Sequence, residues 1–182
     1  MKETYTLKEL AQSGYPIVNE IIGSGVLVEQ TKAVLYGIFK SGKSTLVQYI
    51  AMCLAGGFPL FSHPKDFKTQ KGTVFVVQLE MPYKAYSLRL LSSSLSGVQD
   101  VQENLHVATK FVLKLDQHSG VEWLRDQITN IKPQVVIIDP IYKCVSGSEN
   151  SVEDFRKLGD NMDIMMEDLK FSLLFTAQGR KT

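Results

Sequence analysis

The stretch Gly37-Ile38-Phe39-Lys40-Ser41-Gly42-Lys43-Ser44 decides the reading of this chain. It matches the pattern G-x-x-x-x-G-K-[ST] in full. A backbone that wraps a phosphate must turn its N–H groups inward, and glycine permits the dihedrals this needs. A helix that starts where the loop ends points its positive N-terminus at the same phosphates. Lys43 is then placed to reach the β- and γ-phosphates, and the Ser44 hydroxyl to bind Mg²⁺. Thr45 adds a hydroxyl near the α-phosphate. At ordinary glycine usage the pattern arises by chance in roughly one chain of this size in a hundred. Its flanks lower that figure, because an apolar strand-like run (33–36) precedes it and a helical run follows. The expected ligand is ATP with Mg²⁺.

Working outward, apolar and β-branched runs at 33–36, 74–78, 105–108, 135–138 and 172–176 read as strands, several of them buried on both faces. Helical patterns fall between them at 45–55, 83–94, 120–130 and 151–170. Pro82 suits the first turn of the second helix, and Pro133 stops the third. Ser151 and Asp154 come close to a capping box for the last. In that helix Val152, Phe155, Leu158, Met162, Met165, Met166 and Leu169 recur at helical spacing. Strands alternating with helices predict an α/β fold: a parallel β-sheet flanked by helices on both faces. Ligands in such sheets bind beyond the carboxyl ends of the strands. The weakest region is 96–120, where 110–116 reads as a strand, an edge hairpin or a loop.

Three further strand ends carry polar groups. Val135-Val136-Ile137-Ile138-Asp139 is an apolar strand closed by a carboxylate suited to holding Mg²⁺. By itself this is weak, since buried strands often end in Asp as a turn or cap. Hydrolysis also needs a group that orients the attacking water. Pro140 follows Asp139 and cannot serve. Glu80, in Gln78-Leu79-Glu80-Met81-Pro82, lies at the end of run 74–78, on the same rim as Asp139. The alternative for Glu80 is a first-turn acid favoured by the helix dipole. Gln178, at the end of the last strand, is either a contact to the γ-phosphate or an exposed loop residue. Arg180 and Lys181 read as a solvated tail, or as partners of phosphate, nucleic acid or a neighbouring subunit.

The bulk numbers set limits. The 182 residues fit one domain. With 44% hydrophobic residues, 21% charged residues and a net charge of +1, the composition is globular and exerts no global pull on nucleic acid or an anionic membrane. No apolar run reaches the length of a membrane span, and the polar, charged residues 1–10 do not read as a signal peptide. Cys53 and Cys144 sit among apolar residues and read as buried thiols, which fits a reducing cytoplasm.

Four blocks, 37–45, 78–89, 135–150 and 173–181, together with Gly56-Gly57-Phe58-Pro59-Leu60-Phe61, resemble RecA-type P-loop ATPases. The likeness is greatest to the group of RepA-like and hexameric replicative helicases with an AAA ATPase domain. This resemblance implies a lead-in segment at 1–20 and a RecA-like ATPase domain at 21–182, partial at its C-terminal end. It implies Lys43 and Ser44 as phosphate and Mg²⁺ residues, Asp139 as the second metal-side carboxylate and Glu80 as the catalytic glutamate. Gln178 falls at the polar sensor position, where many relatives carry histidine. Arg180 and Lys181 match basic residues that often follow it, and 142–150 matches a loop that can face the central channel of ring-forming relatives. The implied function is Mg²⁺-dependent ATP hydrolysis by a motor acting on single-stranded DNA or RNA, as a homo-oligomeric ring.

Other functions fit parts of the sequence. A regulatory ATPase or nucleotide switch coupled to a protein partner agrees with the low net charge. A non-catalytic nucleotide-binding module and a small-molecule kinase also use phosphate loops, although no arginine-rich lid suggests the kinase. His63, His106 and His118 lack metal-ligand spacing and read as surface or half-buried residues. The methionines of the last helix and Trp123 read as core.

Overall fold

The computed structural model describes residues 4–12, 19–147 and 152–179. A short helix α1 (Leu7–Gln12) comes first. Its start is a capping box in which the Glu9 N–H donates to Thr6 Oγ1 and the Thr6 N–H to Glu9 Oε2. Strands β1 (Glu20–Ile22) and β2 (Leu27–Val28) then pair antiparallel as a small hairpin. The main body alternates β3 (Lys32–Ile38), α2 (Lys43–Gly56), β4 (Val74–Gln78) and α3 (Tyr83–Leu91). It continues through α4 (Gln99–Asn104), β5 (Leu105–Thr109), α5 (His118–Ile131), β6 (Val135–Asp139), α6 (Val152–Leu169) and β7 (Ser172–Gly179).

The sheet is five-stranded, in the order β3-β7-β6-β4-β5, and every neighbouring pair is parallel. The chain leaves β3, passes over two positions to β4 and moves out to β5. It then returns to place β6 and β7 in the gap. Right-handed crossovers require the outward and returning helices to lie on opposite faces, and the core divides accordingly. One face joins Val74, Val76, Val135, Ile137 and Leu174 to Val47, Ile50 and Leu54 of α2 and to Ile21, Ile22 and Leu27 of the hairpin. The other joins Phe75, Val77, Val136, Ile138, Leu173 and Phe175 to Leu124 and Ile128 of α5 and Leu158, Met162, Met165 and Met166 of α6. The period-2 alternation of each strand thus feeds two separate cores. This is the α/β architecture expected from the sequence.

Particular elements depart from expectation. Strand β3 is an edge strand, so Val34, Tyr36 and Ile38 are 59%, 69% and 55% exposed rather than buried on both faces. Helix α3 ends at Leu91, three residues before the expected Ser94. Residues 110–116 form a loop, while α1, the β1–β2 hairpin and α4 lack periodicity long enough to read in advance. Val152 opens α6 at 81% exposure and does not join its apolar face, and Trp123 is half-buried while Leu124 and Ile128 anchor α5. Ser151 lies outside the described residues.

Cys53 and Cys144 are free and buried on opposite faces of the sheet. The three histidines are exposed. Among the described residues no helix is long and apolar enough to cross a membrane.

Candidate functional site

Because β3, β4, β6 and β7 run parallel, their carboxyl ends share one rim, and the site is assembled there. The loop after β3 turns at Lys40 (φ 59°) and at Gly42 (φ 84°). Both lie in the left-handed region, which is comfortable for glycine and strained for lysine. A Cβ at Gly42 would meet nothing, so its backbone conformation, and not crowding, calls for glycine. Helix α2 starts at Lys43, directly after Gly42, and the Leu46 N–H donates to the Gly42 carbonyl at 2.9 Å. Gly57, also left-handed, caps α2 just past its last residue, and its N–H reaches the Cys53 carbonyl.

Lys43 Nζ folds back over this loop and donates to the carbonyls of Gly37 (2.9 Å) and Ile38 (2.8 Å). The ammonium is thus held over the loop by carbonyl oxygens, a role that phosphate oxygens can take over. Gly37 and Ile38 do not line the cleft above the loop. The Ile38 side chain is exposed, and a Cβ added at Gly37 would come within 3.0 Å of the Ser41 hydroxyl.

That cleft has a volume of about 280 Å³. Its floor is Phe39, Lys40, Ser41, Gly42, Lys43, Ser44 and Thr45, and Glu80, Asp139 and Gln178 contribute from the ends of three other strands. The structure therefore brings the expected residues 39–45, Glu80, Asp139 and Gln178 to one place, while Gly37 and Ile38 stay off the cleft wall. Sheet register explains how. Gly37 is paired with Gln178 across β3 and β7, and Gln78 with Asp139 across β4 and β6. Arg180 and Lys181 lie outside the described residues, as do 148–150 of the 142–150 loop.

Asp139 is 3% exposed, and the Thr176 hydroxyl donates to its Oδ1. A buried carboxylate needs such a donor. Glu80 is exposed and is presented by a turn that a neighbouring side chain organises. The Oε1 of Gln78, itself 1% exposed, accepts the backbone N–H groups of Glu80 and Met81, both at 2.7 Å. The Leu79 N–H donates to the Asp139 carbonyl at 2.9 Å and ties the same turn to β6. The phenol of Tyr142 donates to Glu80 Oε1.

Four residues of the rim escaped the sequence reading: Gln78, Arg89, Tyr142 and Thr176. Gln78 and Thr176 left a faint signal, as polar residues inside apolar runs. Arg89 lies on α3 and Tyr142 in the short turn Ile141–Cys144, and both line the cleft only because of tertiary placement. Beneath the cleft the Tyr86 hydroxyl is pushed well above its usual range, first by burial and then by the Asp139 charge, with Arg89 pulling the other way.

The family model for the AAA domain matches residues 4–182. The chain belongs to the AAA domain family. Nucleotide-binding ATPase character follows from that membership. No curated protein matches the chain. For an AAA domain the arrangement is chemically coherent. A glycine-turned loop and a lysine share the cleft with a buried carboxylate, an exposed carboxylate and an amide.

Proposed function

We propose that this AAA domain hydrolyses ATP with Mg²⁺ as a RecA-like motor acting on nucleic acid, in the manner of the RepA-like helicases its motifs resemble. The observation that supports this best is the meeting of Lys43, Ser44, Asp139 and Glu80 around one cleft. Lys43 exchanges the carbonyls of Gly37 and Ile38 for phosphate oxygens when nucleotide enters. The donor set suits a hard cation, because Ser44 and Asp139 offer oxygen ligands and substrate phosphates supply the rest. When bound, Mg²⁺ neutralises charge on the phosphate oxygens. Ser44 and Asp139 would hold it, with the Thr176 hydroxyl fixing the Asp139 carboxylate. Glu80, which lines the same cleft, takes the proton of the attacking water. Gln178 reads the terminal phosphate and, through its pairing opposite Gly37, links β7 to the loop.

The test is ATP turnover with Mg²⁺, with and without single-stranded DNA and RNA, beside Lys43→Ala and Glu80→Gln. Expected is polynucleotide-stimulated turnover, lost in both variants, with ATP binding kept in Glu80→Gln and lost in Lys43→Ala. Turnover that no polynucleotide raises in an oligomeric sample would overturn the nucleic-acid part. Phe111 and Val112, 60% and 69% exposed on the loop after β5, favour a second reading, a regulatory ATPase coupled to a protein partner. Stimulation by a protein and not by polynucleotide would select it.

A further inference from the structure

Glu80 is held from two directions. Gln78 fixes its backbone, and Tyr142 fixes its carboxylate. The Tyr142 end leads away from the cleft into a separate piece of structure. Tyr142 lies in the turn Ile141–Cys144, which is bonded to the loop after β5 at several points. The Leu115 N–H donates to the Cys144 carbonyl at 2.7 Å. Lys114 Nζ donates to the carbonyls of Lys143 (3.0 Å) and Val145 (2.5 Å). Ser146 donates through N–H (2.9 Å) and Oγ (3.0 Å) to the Asp116 carboxylate. Leu113, Leu115, Cys144 and Val145 are buried beneath these bonds. Turn and loop therefore form one clip, anchored in the core, with a single phenol reaching from it to the carboxylate.

We propose that Tyr142 is a positioning residue for Glu80, and that through it the clip between 110–117 and 141–146 sets the rate of hydrolysis. This rests on Glu80 being the base. A carboxylate on a flexible, exposed side chain samples many rotamers, and one oxygen held by a phenol leaves the other directed and available to water. Loss of the phenol frees the carboxylate without touching the phosphate loop, so the rate falls and nucleotide affinity does not.

The experiment compares kcat, KM and nucleotide affinity in wild type, Tyr142→Phe, Glu80→Gln and Asp116→Ala. Tyr142→Phe keeps the ring and removes only the hydroxyl, so the fold is preserved. The expected result is a fall in kcat of about tenfold, the size of one such hydrogen bond, with KM and affinity within twofold of wild type. Asp116→Ala lowers kcat in the same direction, and in the Tyr142→Phe background it adds nothing. Wild-type kcat in Tyr142→Phe, or a matching loss of affinity, overturns the proposal. If Glu80→Gln turns over like wild type, the base assignment itself falls. If Glu80→Gln is inactive and Tyr142→Phe is not, only the positioning role falls. A readout independent of turnover is the ¹³Cζ resonance of Tyr142 in tyrosine-labelled protein. It shifts on Glu80→Gln if the bond exists, and an unmoved resonance overturns the proposal.

Discussion

Gln78 and Asp139 stand directly opposite each other on the adjacent parallel strands β4 and β6. The two side chains serve different ends. Asp139 supplies a carboxylate to the cleft, whereas Gln78 turns its amide oxygen onto the backbone of the next turn. One register position thus fixes a cleft carboxylate on one strand and the support of the Glu80 turn on the other.

Replacing Gln78 by leucine should therefore injure turnover from a position that does not line the cleft. Two backbone N–H groups lose their acceptor, at a cost of about 1–3 kcal/mol if they stay buried. We expect a lower denaturation midpoint and reduced kcat, with nucleotide affinity kept. Unchanged kcat in a folded Gln78→Leu protein would show that the turn holds Glu80 without Gln78.

Thr176→Val preserves shape and removes the hydroxyl that donates to Asp139 Oδ1. Hydrogen bonds to charged groups contribute about 1.5–3 kcal/mol, so stability should fall by an amount of that order. The Mg²⁺ concentration needed for half-maximal turnover should rise, because Asp139 is no longer oriented. A denaturant titration and a Mg²⁺ titration check the two parts separately.

Gly120 lies in the first turn of α5 against the backbone of Lys114, and an added Cβ would sit 2.0 Å from the Lys114 carbonyl oxygen. That oxygen belongs to backbone and cannot swing aside. Gly120→Ala should cost about 1–3 kcal/mol through overpacking, and it should displace the loop that clips the Tyr142 turn. Gly97→Ala is the control, since a Cβ there meets nothing. Equal stability of the two variants would contradict the packing.

Burial pushes the Cys144 thiol up to about 12 from its usual 9.0. The folded pKa is raised, so this group's contribution to stability is intact below pH 9 and declines as pH climbs toward 12. The unfolded chain releases the proton first and is favoured in that window. Cys144→Ala should flatten the alkaline limb of the stability curve. An identical limb in wild type and variant would remove Cys144 from the cause. The folded thiol should also resist a disulfide reagent until the protein unfolds, as buried thiols do.

Most of the cleft was legible because its chemistry is local in sequence. The phosphate loop is a contiguous pattern, and strands β4, β6 and β7 announce themselves as apolar runs that end in polar residues. That rule put Glu80, Asp139 and Gln178 on one rim without knowledge of strand order, while the roles of Glu80 and Gln178 came from the resemblance to RecA-type ATPases. Short elements were not legible. Helix α4 has six residues and β2 two, too few for a period to register. The exposure of Val34, Tyr36 and Ile38 was hidden for another reason: edge and centre strands can have the same composition.

By itself, then, the sequence determined the phosphate loop, the alternation of strands and helices, and the rim on which Lys43, Ser44, Glu80, Asp139 and Gln178 lie. Each is a matter of neighbours along the chain, where periodicity and dihedral preference act directly. Only the tertiary structure decided that β6 and β7 fill the gap between β3 and β4, so that Asp139 meets Thr176. It also decided that Tyr142 reaches Glu80 and Arg89 lines the cleft. Those contacts join residues 37, 62 and more positions apart or different elements, and they depend on strand order and crossover handedness. Local propensity is blind to both.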